Sequence, residues 1–369
     1  MSRILCAALF IFLQFSITAE ARQLQPGFDG GEFRKMFQIS AHQIDTPWTK
    51  MRVPYPAGYK MIHRSTVGGL DNRWDMWLSD DSVAVISVRG TTSSDESWLE
   101  NFYAGMIPAI GKLNLGNGIL FDYKLAQDSL AYVHIGWTIA LASISKNVTD
   151  KINEQYKNGI RDFVIVGHSQ GAAISFLLYS YLHYNKGKTI PADIRMKVYG
   201  SAAPKPGNLK YSYDFDFITR GGWAFRIINT ADWVPEVPFT IQTINDLSPG
   251  NPFSEFDQRV RLGFPAKLIG NHVIKKMNRG AKRAERRFRK YLAYKTGKLV
   301  RKRIPGMPKQ KYVKSMAYYP CGVPIILQPD ENYHKLFPDN GKSIFTHHYF
   351  GPYYNLLNTY YPVKSPDLK

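Results

Sequence analysis

The 369-residue chain is 44% hydrophobic and carries 48 Lys and Arg against 29 Asp and Glu, a formal net charge of +19. That length and apolar content suffice for one large core with decorations. The 2 cysteines exclude a disulfide framework, because Cys6 falls in an N-terminal leader and leaves Cys321 without a partner.

Met1-Ser-Arg precedes an apolar run from Ile4 to Ile17 and then Thr18-Ala19-Glu20-Ala21, an Ala-x-Ala pattern that predicts a signal peptide cut after Ala21. The run is short of the roughly 20 residues of a membrane span, and no later stretch resembles one. The expected organisation is a leader over 1–21 and a single domain over 22–369, in a secreted or periplasmic protein.

From Gln23 to Tyr59 the pattern is weak and predicts an N-terminal helix with a wrapping loop. Tyr59 to Ile62 and Arg73 to Leu78 read as hairpin strands with Val67-Gly-Gly-Leu-Asp-Asn as the turn, and Ser82 to Val88 reads as a buried, β-branched strand ended by Arg89-Gly90-Thr91-Thr92. Helical spacing of apolar positions runs from Leu125 to Tyr156, through Ala131, Ile135, Thr138, Leu141 and Ile144. Phe163-Val-Ile-Val is a short strand that passes through Gly167-His168-Ser169-Gln170-Gly171 into an apolar helix over Ala172 to Tyr184. Met196 to Tyr199 and Ala224 to Ile228 are further strands, the second ending at Asn229-Thr230-Ala231-Asp232. Strands alternating with helices predict an α/β fold with a mostly parallel central sheet flanked by helices and functional groups at the strand C-termini.

Gly-x-Ser-x-Gly between a strand and a helix puts a serine on a strained turn whose small flanks let neighbouring elements pass close by. A serine hydroxyl becomes a nucleophile when a histidine takes its proton, and a carboxylate then fixes the histidine's tautomer and stabilises the imidazolium. In this fold class the chain order is Ser, Asp or Glu, then His. Ser169 is therefore the candidate nucleophile, and Asp232, just past the strand Phe225-Arg-Ile-Ile, is the candidate acid. Four histidines follow Asp232. His272 sits in a basic helical stretch and His334 in a polar one, which suits surface residues, whereas His347-His348 precede the aromatic run Tyr349-Phe-Gly-Pro-Tyr-Tyr. One of that pair is the candidate base, with His348 the first choice and His347 the alternative. An oxyanion needs two preorganised N–H donors: Gln170, after the nucleophile, offers one, and Thr91, on the loop after the strand, offers another and a hydroxyl.

These residues carry a resemblance. Val88-Arg-Gly-Thr, His134-Ile-Gly-Trp, Val166-Gly-His-Ser-Gln-Gly, Tyr199-Gly-Ser-Ala-Ala-Pro-Lys-Pro-Gly-Asn and Asp232-Trp-Val-Pro-Glu-Val-Pro stand in the order found in class 3 lipases, the fungal-type triacylglycerol lipases and their relatives. The chain resembles that family well from Tyr59 to Pro238 and loosely around the C-terminal histidines. The resemblance implies an α/β-hydrolase fold, Ser169 as nucleophile, Asp232 as acid, Thr91 with Gln170 as the oxyanion hole, and His134 as a structural residue opening a helix. It also implies a lid after the oxyanion strand. Ser93 to Leu120 is the candidate, with Met106-Ile-Pro-Ala-Ile and Leu113 to Leu115 as residues that could meet lipid; a packed helix and hairpin is the alternative.

The charge sits in one place. Between Arg259 and Lys314 there are 20 Lys and Arg and one acid, Glu285, which leaves 28 basic and 28 acidic residues elsewhere. From Ala266 to Leu299, Ile269, Val273, Met277, Ala281, Ala284, Phe288 and Leu292 recur at three- or four-residue steps with Lys and Arg opposite, a cationic amphipathic helix expected to break near Gly270, Gly280 and Gly297. This basic insertion, about 255–320, fits docking on an anionic membrane surface or another polyanion, or a solvated face packed on the body. It contains no motif that reads nucleic acid, so specific nucleic-acid binding is not expected. Neither a metal-ligand cluster nor a glycine loop that cradles nucleotides is present, so no cofactor is expected.

The function expected from sequence is a secreted serine ester hydrolase, a lipase acting on acylglycerols through an acyl-enzyme. A phospholipase A or an aromatic-acid esterase on the same fold, and a non-catalytic binder of polyanions or membrane surfaces, are the alternatives.

Overall fold

The computed structural model describes residues 24–43, 53–253, 263–341 and 343–363. The leader lies outside them, as does the start of the basic segment. Strands β1 (Tyr59–Arg64), β2 (Trp74–Ser79) and β3 (Val83–Val88) come first, then β4 (Met106–Pro108), β5 (Ile110–Asn114), β6 (Leu120–Lys124) and β7 (Tyr132–His134). They are followed by β8 (Asp162–His168), β9 (Arg195–Ser201), β10 (Gly207–Asn208), β11 (Ala224–Asn229), β12 (Tyr318–Tyr319) and β13 (Val323–Leu327). The main sheet has the order β1-β2-β3-β8-β9-β11-β13, antiparallel through β1-β2-β3 and parallel from β3 to β13. This is the mostly parallel α/β-hydrolase arrangement, its register fixed by β-branched and aromatic residues that alternate between two cores.

On one face, Ile86, Phe163, Ile165 and Val198 pack under α3 (Ile135–Lys157), α4 (Gln170–Asn185) and α5 (Leu209–Ile218). On the other, Val85, Val164, Val166 and Ile227 pack under α1 (Gly30–Ala41) and the last described helix, Phe350–Tyr360. Those two helices also hold each other through Arg34 Nε, which donates to Asn358 Oδ1 at 3.0 Å, and just beyond their ends Phe28 meets the Tyr361 ring at 5.1 Å. Cys321 is free and buried.

Three sequence expectations need correction. The helix expected from Leu125 starts at Ile135. The Asp128 carboxylate accepts the Leu130 N–H at 2.8 Å, which ends regular structure there, and Tyr132–His134 is drawn into β7 by pairing with β4 and β10. His134 then caps α3, its Nδ1 accepting from Trp137 N at 3.2 Å. Second, Ser93 to Leu120, expected as a lid or else as a packed helix and hairpin, takes the second form: α2 (Asp95–Phe102) is followed by the β5-β6 hairpin, with Met106, Ile107 and Leu113 buried while Phe102, Ile110 and Leu120 stay exposed. Third, the basic helix does not break at Gly270 or Gly280. It runs unbroken as α6 (Phe264–Arg289), because the strong helix formers around each glycine outweigh its cost of about 1 kcal/mol. A π-helical stretch, Lys290–Lys295, then carries it into α7 (Thr296–Arg303), of which Gly297 is a buried member.

The insertion is two different objects. Its C-terminal half is anchored by the Phe288–Phe239 ring contact at 5.9 Å and by buried Ala293 and Val300, and an Arg289–Glu285 ion pair braces the helix internally. Its N-terminal half presents Phe264, Leu268, Ile269, Val273 and Met277 to solvent, with Met277 72% exposed. No helix among the described residues is long and apolar enough to cross a membrane.

Candidate active site

The strand-to-helix corner at β8-α4 is built by contact. Every residue from Asp162 to His168 is buried. A Cβ on Gly167 would lie 2.3 Å from the Gly171 backbone, and one on Gly171 would lie 2.4 Å from Val88 O, so the pentapeptide glycines let the turn close against itself and against β3. Ser169 at the apex has φ 59° and ψ −131°, a left-handed backbone that a residue with a Cβ adopts at a cost of about 1–3 kcal/mol. The strain lifts its Oγ off the sheet edge.

The structure brings two further predicted residues to that hydroxyl. His348 Nε2 lies 2.8 Å from Ser169 Oγ, and His348 Nδ1 lies 2.8 Å from Asp232 Oδ2. Asp232 follows the C-terminal end of β11, and His348 sits on the loop entering the last described helix. Burial works to raise the Asp232 pKa, but His348, the Val234 N–H at 3.0 Å and the Tyr353 O–H at 2.8 Å together hold it below its ordinary value. The carboxylate therefore stays charged and its Oδ2 keeps Nδ1–H on the imidazole, which leaves Nε2 to accept from the serine.

His347 points elsewhere. Its Nδ1 meets Tyr333 OH at 2.9 Å, its carbonyl accepts from Asn229 Nδ2 at 2.9 Å, and burial lowers its pKa. His272 and His334 are both exposed.

Thr91 and Gln170 both line the cavity in front of Ser169. Among the described residues no acceptor takes the backbone N–H of either, so two donors are available beside Ser169. The Thr91 hydroxyl is less free than the sequence implied: Oγ1 lies 2.8 Å from Gln170 Oε1, which can only accept, so its single proton is directed there.

Sequence reasoning passed over three supports. His168, inside the pentapeptide, has Nε2 2.8 Å from His348 O and Nδ1 2.8 Å from Ser201 Oγ. It ties the His348 main chain to the Ser169 turn, and burial holds it neutral by lowering its pKa to about 3. Phe37 of α1 packs on the His168 and Phe350 rings at 5.9 and 5.2 Å. Tyr353 fixes Asp232 from the last described helix. The central position of His168 in the motif was a signal; nothing in the sequence distinguished Phe37 or Tyr353 from core aromatics.

The cavity in front of Ser169 and His348 has a volume of about 690 Å³. Trp98 and Phe102 of α2, Trp233, Phe345 and Phe239 form its apolar wall, and Leu292 of the basic segment joins them. Phe345 meets both Trp98, at 5.8 Å, and Trp233, at 5.4 Å. Such a wall accepts an apolar chain, and the polar atoms converge at Ser169. No group of three or more His, Cys, Asp or Glu that could hold a metal ion occurs among the described residues.

The family model described as Lipase (class 3) matches residues 85–242, a stretch that holds Thr91, Ser169, Gln170 and Asp232 and ends before His348. The secreted mono- and diacylglycerol lipase 3 of Gibberella zeae is 26% identical over 181 residues, 48% of this chain and 52% of that protein. The secreted mono- and diacylglycerol lipase A of Penicillium cyclopium is 31% identical over 113 residues, 31% of this chain and 33% of that protein. The chain thus spans about half the length of the first relative and a third of the second. The solved Rhizomucor miehei lipase propeptide complex aligns with 58% of this chain and 65% of that one, at 17% identity and a TM-score of 0.41.

Proposed function

We propose, because residues 85–242 match the class 3 lipase model, that this chain is a serine hydrolase that cleaves acylglycerol esters through an acyl-enzyme. The observation that carries this reading is the unbroken hydrogen-bonded series from Ser169 through His348 to Asp232, beside an apolar cavity. Ser169 Oγ attacks the ester carbonyl while His348 Nε2 takes its proton; Asp232 stabilises the imidazolium; and the N–H groups of Thr91 and Gln170 hold the oxyanion. Collapse expels the alcohol, protonated by His348, and water repeats the sequence to free the acid. The aromatic wall from Trp98 to Trp233 takes the acyl chain. Nitrophenyl esters of increasing chain length test this: Ser169→Ala should abolish hydrolysis and wild type should favour medium or long acyl chains. Equal rates for both proteins would remove the enzyme and leave a binding protein; a preference for acetyl or aromatic acyl groups would replace the lipase with another esterase.

The basic segment Arg259 to Lys314 is read as a dock for anionic lipid. Its free half combines an exposed apolar row with cations, each worth about 1 kcal/mol near an anionic surface, and its anchored half contributes Leu292 to the cavity wall. A surface held by the first half would therefore lie next to the second, where substrate enters. Co-sedimentation with phosphatidylglycerol and phosphatidylcholine vesicles at low and high salt tests it; binding that is absent or indifferent to salt would reject it. Export after cleavage at Ala21 completes the reading. The two named relatives are secreted lipases, and the N-terminal residue of protein recovered from medium would check the cut.

A further inference from the structure

Part of the wall of the cavity beside Ser169 is supplied by the basic segment. Ser169 lines that cavity from the end of β8 in the main sheet. Leu292 lines it from the four-stranded sheet β12-β10-β7-β4, where it packs on Met106 of β4, Tyr318 of β12 and Met316. Its neighbours in the lining there are Phe239, which meets Phe288 at 5.9 Å, and Ala104, which precedes the Gly105 that Ala293 touches. Val237 and Pro238 add apolar surface to the same wall.

Leu292 is held in place from both sides. α6 leads into the π-helical stretch Lys290–Lys295, whose wider winding carries the Thr296 N–H back to Tyr291 O, five residues earlier. Before Leu292 the segment leans on Phe239 through Phe288. After it, a Cβ on Gly105 would lie 2.6 Å from Ala293 Cβ, and one on Gly297 would lie 2.5 Å from the Tyr312 hydroxyl. That hydroxyl is itself 2.7 Å from the one on Tyr103, just past the end of α2. With both glycine approaches filled to contact, Leu292 cannot withdraw without parting packed elements, so its side chain is a fixed piece of the wall.

We propose that Leu292 ends the acyl pocket and sets the longest chain that fits it, which places chain-length selectivity on the basic segment. The proposal rests on the reading of Ser169 as an ester-cleaving serine. The ester carbonyl has to sit at Ser169, within reach of the Thr91 and Gln170 N–H groups, and the chain attached to it extends along the apolar lining toward the four-stranded sheet, where Leu292 stands. A hydrocarbon chain offers no hydrogen bond by which its length can be read, so length is read by fit alone. Too short a chain leaves a gap against Leu292, and too long a chain collides with it. The assignment also separates Leu292 from the rest of its helical row: Leu292 is half-buried and lines the cavity, whereas Ile269, Val273 and Met277 stand exposed.

The test compares kcat/KM for nitrophenyl butyrate and nitrophenyl decanoate, both monomeric and without vesicles, so that surface docking plays no part. The quantity read is the decanoate-to-butyrate ratio within one preparation, from which any loss of folded enzyme cancels. Leu292→Trp should lower that ratio about tenfold or more, since a misfit of one methylene in an apolar pocket is worth roughly 10–200-fold. Leu292→Ala should raise the ratio and move the preferred chain upward. Should Leu292→Trp not fold, Leu292→Phe should shift the ratio in the same direction as expected for it. A ratio unmoved by Leu292→Ala or by the enlarged side chain, or moved the same way by both, overturns the proposal. Absence of Ser169-dependent hydrolysis of both esters would instead overturn the hydrolase reading.

Discussion

The corner at residues 162–185 and the helix at residues 264–303 are the two most sharply patterned stretches of this chain, and they use sequence in opposite ways. At the corner each residue is fixed by what it touches: glycine sits where backbone passes within 2.4 Å of where a Cβ would be, and the serine apex is strained against a closed turn. Along the free half of the basic helix Phe264, Leu268, Ile269, Val273 and Met277 stand exposed, and the pattern is a sum of apolar area and charge. The lesson is that a contact-defined region should fail at single atoms, whereas a sum-defined region should fade by increments.

Substitutions at the corner should therefore produce the largest effects. Ser169→Ala should reduce kcat on order of 10⁶-fold with an unchanged melting temperature, as for other hydroxyl nucleophiles held in a triad. A loss of only tenfold would break the comparison. Asp232→Asn should cost about 10⁴-fold by admitting the wrong imidazole tautomer, and His348→Ala should exceed His347→Ala by at least two orders of magnitude. Comparable losses from the two histidine variants would show that another base serves Ser169. Gly171→Ala should destabilise by about 3 kcal/mol or more, since the added methyl meets Val88 O rather than a side chain able to move; chemical denaturation measures it.

A smaller effect is expected from pH. Glu100 binds its proton more tightly folded than unfolded, so stability is full below the ordinary carboxyl range and is lost as pH rises toward about 8. Asp232, with its pKa lowered, contributes the reverse: stability present above the ordinary range and lost on acidification. Melting curves from pH 5 to pH 9 should fall for wild type and stay flatter for Glu100→Gln. The smallest effect belongs to the helix: Ile269→Ser or Met277→Ser should each weaken binding to anionic vesicles by about fivefold, near 1 kcal/mol for a part-exposed apolar side chain. Complete loss from either single change would mean that this region too is defined by contact.

The sequence was legible where chemistry and local geometry coincide. Strand, glycines and serine announced the corner, Asp232 announced itself at a strand end, and the aromatic run after His348 pointed to a packed loop. It was illegible where a partner comes from far along the chain. Choosing between His347 and His348 depended on Tyr333, Asn229 and His168, which no spacing relates to either histidine. Only the first part of the helix expected from Leu125 was lost, its residues Tyr132–His134 being taken by strand pairing with β4 and β10, a tertiary override of local periodicity. Met106, Ile107 and Leu113 looked ready for lipid because an apolar residue carries no mark of whether it meets a membrane or its own core. The glycines of the basic helix misled for a related reason: Gly280 has open space around it, so it neither caps nor kinks.

The ring contact of Phe37 with His168 and Phe350 gives the first described helix a duty remote from its place in the chain. A shortened protein beginning at Tyr59 would retain the serine, the acid, the imidazole and every recognisable signature. It would nevertheless lose the wedge that keeps the imidazole loop seated, and should hydrolyse poorly for want of a helix that never meets substrate.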